Sequence, residues 1–217
     1  MYNLPHFKEN DPGVVRQFMF ENPFVLLCGV DGENKPIATQ VPLLIEEREG
    51  TFFLYGHVQR KTDHQLAFES NPDVLAVFSG PHTYVSASWY SNPQTASTWN
   101  YMAVHAKGKL RFLDEKELLD ILKKTTSHFE NNSDSPSLVE KLPEEYVQKL
   151  IKAIIGFEIR VSHLDNVFKL SQNRDEKSYH EIIHQLDRQD DSSKYIASEM
   201  KTRQPGLFAK ENNKDNP

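Results

Sequence analysis

The chain has 217 residues, 38% of them hydrophobic and 26% charged, with a formal net charge of -6. That length can bury a sizeable core, while the acidic balance opposes a broad electrostatic footprint for nucleic acid. A single cysteine, Cys28, excludes an internal disulfide framework, and the opening MYNLPHFKENDP carries neither an apolar signal segment nor a membrane span, so the reducing cytoplasm is the expected compartment.

Asp11, Pro12 and the apolar positions Val14, Val15, Phe18 and Met19 predict a capped helix ending near Asn22 and Pro23. Short apolar runs follow, separated by turn chemistry: FVLLCGV, the turn DGENKP, IATQVPLLIEE, the turn REG and TFFLYGH. A short helix is expected after Arg60 and Lys61, capped by Thr62 or Asp63. VLAVFSG and TYVSASW read as further strands, and TWNYMAVHAKGKLRFL as a long one in which Gly108 permits a bend. Five or six evenly spaced strands point to a small barrel. Asp114 and Glu117 form a capping-box pattern for a helix ending around Asn131, and Pro143 starts another whose apolar face includes Val147 and Ile151. GFEIRVSHL alternates as a half-buried strand, with NVFKL as its hairpin partner. Beyond Arg174 the chain turns polar and helical, and from Thr202 it loses apolar periodicity. The expected organisation is one domain over residues 1–186, then a helical extension and mobile tail over residues 187–217.

Both tryptophans, three of the eight tyrosines and two of the nine histidines fall between Gly80 and His105. Rings with polar handles in this density fit a core where strands pack, and equally a ligand pocket or subunit interface. Arg60 and Lys61, between a strand and a helix start, are a candidate phosphate seat: a guanidinium grips oxyanions in a bidentate manner, an ammonium adds compact charge and helix amides add donors. Ordinary solvated surface is the competing explanation. Pro42 lacks an amide hydrogen and belongs at a strand edge or bulge, leaving backbone groups of Thr39, Gln40 and Val41 open to a ligand. His180, Glu181 and His184 match the H-E-x-x-H spacing of zinc hydrolases, with Glu199 as the best third ligand, although Ile182, Ile183 and Leu186 also describe a plain amphipathic helix. Cys28 reads as a small buried hydrophobe. The best basic element for DNA is Lys123-Lys124, which is brief and flanked by acidic turns.

In chain order, YNLPHF, GHVQR, FSGPHTYVSASWY, TWNYMAVHAKGKL, IIGFEIRV and FKLSQNR resemble the PaiB-type family of FMN-binding negative transcriptional regulators, related to the pyridoxamine-phosphate-oxidase-like flavoproteins. The resemblance implies a mainly β (α+β) split β-barrel with peripheral helices, and a homodimer with FMN at its interface. It also implies a bacterial, cytoplasmic role in repressing protease synthesis and sporulation, through DNA or a regulatory protein. A flavin-dependent oxidoreductase using NAD(P)H, with only an indirect regulatory effect, is the alternative. By this resemblance Arg60 and Lys61 hold the FMN phosphate, Thr39, Gln40, Val41 and Pro42 edge the flavin, and His57 ends the adjoining strand. Trp99, with Trp89, Tyr90 and Tyr101, builds the wall of the dimer. Lys169, Gln172 and Asn173 close over the barrel toward cofactor or partner. No side chain is expected to act as nucleophile, acid or base, because the flavin carries the chemistry.

Overall fold

The computed structural model describes residues 1–209 of the chain. In chain order come α1 (Pro12–Glu21), β1 (Phe24–Val30), β2 (Pro36–Pro42), β3 (Leu44–Arg48), β4 (Thr51–Gln59), α2 (Asp63–Ser70), β5 (Asp73–Val85), β6 (Thr98–Phe112), α3 (Glu115–Glu130), α4 (Glu144–Ala153), β7 (Ile154–Lys169), α5 (Glu176–Leu186) and α6 (Asp191–Phe208). The strands form a 7-stranded sheet in the order β2-β1-β5-β6-β7-β4-β3. The class is α+β, mainly β with peripheral helices, and the strand set is that of a split barrel.

Local chemistry explains the boundaries. The Asp31 carboxylate accepts from the Glu33 and Lys35 amides at 2.8 and 2.9 Å and closes the β1–β2 turn, while Glu49 and Gly50 take left-handed conformations (φ 50° and 74°) between β3 and β4. Asp114 and Glu117 form the reciprocal capping box that starts α3, and Asn131, at φ 46°, ends it.

Two compact units emerge from the contacts of the described residues: one comprises residues 1–18, 79–104 and 166–209, the other residues 19–78 and 105–165. In the second unit, β1 alternates fully buried Val25 and Leu27 with exposed Phe24 and Leu26, and its register sets Phe24 opposite Pro42 and Leu26 opposite Gln40. Leu54, Phe157 and Ile159 are fully buried in this unit. On another face of β4, Leu44 and Tyr55 pack with Leu113 and Ile121, and Leu118 with Val147 and Ile151 joins α3 to α4. In the first unit the buried side chains include Phe168, Leu170, Tyr179, Ile182, Leu186, Ile196 and Met200.

The strand boundaries differ from the expected ones in three places. IATQVPLLIEE is two strands, because the chain breaks after Pro42 and the Leu43 amide donates to the Pro23 carbonyl at 2.9 Å. β5 and β7 are each continuous where two shorter strands are predicted. Gly108 permits a close approach: a Cβ there would lie 2.4 Å from the Arg160 carbonyl oxygen. Residues 202–208, predicted to begin the mobile tail, continue α6, in which Ile196, Ala197 and Met200 are buried; residues 210–217 of that tail lie outside the described residues.

Candidate functional site

The cation pair Arg60–Lys61 leaves β4 and meets α2 within the second unit. The Arg60 amide donates to the Ala153 carbonyl at 3.0 Å, and Lys61 sits in the left-handed region at φ 65°, its amide held by Gln65 Oε1 at 2.8 Å. Thr62 is the α2 cap: its hydroxyl oxygen accepts from the Gln65 amide and donates to the Gln59 carbonyl at 2.9 Å. The amides of His64 and Leu66 are also engaged, by Asp63 Oδ1 and the Thr62 carbonyl. An oxyanion here is therefore met by side-chain cations more than by helix amides. Among the described residues neither the Arg60 guanidinium nor the Lys61 ammonium has an ion-pair partner, so both charges remain uncompensated, as a phosphate seat requires.

Thr39 to Pro42 lie on β2, the terminal strand of the sheet order. Its pairing with β1 sets Thr39 against Leu27 and Val41 against Val25. An edge strand with one neighbour keeps half of its backbone donors and acceptors pointing away from the ladder. Val41 is buried and Gln40 and Pro42 are exposed, so the segment offers both a packed face and an open one.

His57 takes a different position. It shares its β4 face with Phe53 and Tyr55, the face covered by Leu113 and Ile121, and it pairs with Gly156. Burial lowers its pKa below the usual imidazole value, which keeps it neutral near pH 7 and unable to add positive charge to an anion seat. On the same face the Tyr55 hydroxyl donates to Glu158 Oε2 at 2.9 Å, and burial together with that carboxylate pushes its pKa up to about 12.

The remaining candidates belong to the first unit. Trp99 is 53% exposed, its ring edge-on to Tyr84 with centroids 5.8 Å apart and 5.9 Å from His82. Tyr90 is buried at 7% exposure. Lys169 Nζ donates to the Trp99 carbonyl at 2.9 Å and to Thr98 Oγ1. Gln172 is engaged at both ends of its amide, accepting from the Leu170 amide at 2.7 Å and donating to the Phe168 carbonyl at 2.5 Å. Asn173 is exposed. The signature KLSQNR thus closes its own turn first, with Ser171 at φ 61° and its hydroxyl on Asn100 Oδ1 at 3.0 Å. The sequence reading passed over Arg174, whose guanidinium lies 4.0 Å from the Tyr90 ring centroid.

The H-E-x-x-H pattern does not assemble a metal centre. His180 and His184 are exposed on α5, Glu199 binds Arg203 at 2.5 Å, and among the described residues no three metal-ligating side chains converge. Lys124, the central part of the basic candidate on α3, pairs with Glu46 at 2.8 Å. No helix among the described residues is long and apolar enough to cross a membrane.

Residues 1–163 match the family model described as "Putative FMN-binding domain". The chain is 35% identical to "Protease synthase and sporulation protein PAI 2" of Bacillus subtilis, over 94% of this chain and 98% of that protein. It is 32% identical to an uncharacterized protein of Emericella nidulans over 79% of this chain and 84% of that one. Among solved structures, the flavocytochrome Anf3 of Azotobacter vinelandii superposes with a TM-score of 0.56 at 18% identity, covering 79% of this chain and 74% of that one. The FAD and heme binding protein of Mycobacterium smegmatis gives 0.56 at 13%, covering 74% and 72%. At those identities the likeness concerns the fold. With the family model spanning most of the chain and a near full-length relative beside it, this chain belongs to the FMN-binding domain family, and FMN is its cofactor.

Proposed function

We propose that this protein is a cytoplasmic, homodimeric flavoprotein that negatively regulates degradative-enzyme synthesis and sporulation, with the FMN phosphate on Arg60 and Lys61 and the flavin edge against Thr39 to Pro42. The observation that carries the reading is the pair of uncompensated cations at the end of β4 in a chain of the FMN-binding family. The name of the Bacillus subtilis relative supports the regulatory role. When bound, the flavin supplies electron-transfer chemistry; the chain's own residues seat its phosphate and hold its ring edge. Exposed Phe24 and Leu26 on β1, and exposed Tyr84 and Trp99 in the other unit, support self-association, since apolar and aromatic surface of this kind favours interfaces.

Regulation through a ligand or protein partner is favoured over direct DNA contact by one feature: Lys124, the best basic position of α3, is neutralised by Glu46. The test begins with flavin absorbance of the purified protein and titration with FMN, comparing wild type with Arg60→Glu. Charge reversal at the phosphate seat is expected to weaken FMN binding at least about a hundredfold, because a charge-assisted contact becomes a repulsion. Unchanged affinity places the seat elsewhere. Sustained NAD(P)H oxidation by the FMN-loaded protein would favour the oxidoreductase alternative, and sequence-specific DNA retention at physiological salt would establish direct repression.

A further inference from the structure

After β7 the chain reverses through left-handed Ser171, and the Arg174 amide donates to the Ser171 carbonyl at 3.0 Å. The reversal brings Arg174 back beside Lys169. The Arg174 guanidinium lies 4.0 Å from the Tyr90 ring centroid and, among the described residues, has no acceptor for its N–H groups. The hydroxyl of the same Tyr90 is a buried polar atom without a hydrogen-bond partner among the described residues. Such orphans are rare, because each costs the full desolvation of its group. Lys169 Nζ, 5.5 Å from the Tyr2 ring centroid, keeps one N–H beyond its two bonds to Thr98 and Trp99. Burial and then the nearby Arg174 charge lower its pKa, the pattern of two cations lacking a counterion.

The nearest acid in sequence supplies no compensation. Asp175 Oδ1 accepts from Ser91 Oγ and from the Ser178 amide, both at 3.0 Å, and its Oδ2 accepts from Ser178 Oγ at 2.6 Å. It caps α5 and is fully occupied there. Lys169 and Arg174 present donors only, and the Tyr90 hydroxyl has a hydrogen to donate. A compact oxyanion satisfies that set.

We propose that Lys169, Arg174 and Tyr90 form a second oxyanion seat, for the carboxylate or phosphate of a small ligand. The seat is independent of Arg60 and Lys61 and stands whether or not FMN binds there. Arg174 and Lys169 give the oxyanion charge-assisted donors, and it supplies the Tyr90 hydroxyl with the acceptor that it lacks.

The experiment uses the full chain saturated with FMN, titrated with inorganic phosphate and with benzoate by calorimetry and tryptophan fluorescence. Both probes are expected to bind. Stronger binding of one identifies which oxyanion the seat prefers. Arg174→Gln should weaken binding about tenfold or more, and the isosteric Tyr90→Phe several-fold, with FMN affinity unchanged in both. The seat is overturned by probes that fail to bind below ~10 mM, or that bind wild type and both variants alike. Loss of FMN affinity in Arg174→Gln would assign these cations to the flavin and overturn the seat as a separate one.

Discussion

Burial decides what His57 contributes. Its folded pKa lies below the unfolded value of 6.5, so as pH falls through 6.5 the unfolded chain takes up the proton first. The stability tied to the neutral imidazole is therefore fully present above that value and lost on acidification toward the folded pKa. Thermal unfolding at pH 7.5 and 5.5 should show a drop in Tm that is smaller in His57→Gln; an equal drop in the two proteins would remove His57 from the acid response. At this scale residue chemistry was legible where the partner is close in sequence. Asp114 with Glu117 and Thr62 with Gln65 are such cases. Gln172 was not legible, because both partners of its amide depend on a left-handed turn at a serine, which the residue type does not advertise.

Among the elements, the two long strands show why turn residues mislead. VLAVFSG and TYVSASW read as separate strands, yet β5 runs from one into the other through Pro81. Its register with β1 covers only Leu75 to Val77, so further along the missing proline amide interrupts no bond to β1. GFEIRVSHL and NVFKL read as hairpin partners, yet β7 runs through both, and the Asn166 side chain accepts from the Glu9 amide at 2.9 Å and donates to the Glu9 carbonyl at 3.0 Å. The asparagine thus mimics a strand partner for the N-terminal segment. Gly108 offers the sharpest test of an element. Gly108→Ala forces a methyl group against the Arg160 carbonyl and should destabilise the protein by about 2–4 kcal/mol, read from denaturant midpoints at constant m-value. A change below about 0.5 kcal/mol would show that β6 and β7 can separate there freely.

For the whole molecule, the C-terminal helices are the part that the sequence undervalued. α5 and α6 lie beyond the matched family segment, which ends at residue 163, yet they bury Tyr179, Ile182, Leu186, Ile196 and Met200 in the first unit. Polar ties fix them in that unit: Thr83 and Ser193 hydroxyls at 2.8 Å, the Tyr179 hydroxyl on the Met200 carbonyl at 3.0 Å, and Arg203 on Glu9 at 3.3 Å. Truncation after Arg174 should remove at least roughly 5 kcal/mol of burial and abolish cooperative unfolding by circular dichroism. A truncated chain that melts like the full one would make α5 and α6 an accessory. Self-association is checked by sedimentation, where a particle of about twice 25.1 kDa is expected.

The sequence by itself determined the helix starts and stops, the alternation of buried and exposed strand positions, the α+β class and the position of the Arg60–Lys61 pair between strand and helix. These depend on hydrogen bonds and side-chain periodicity within a few residues. Only the tertiary structure decided which strands pair, that His57 faces the helices, that Lys124 is neutralised by Glu46, and that Arg174 and Tyr90 meet with donors to spare. Those outcomes rest on partners far apart in the chain, where burial and charge compensation are set by the fold.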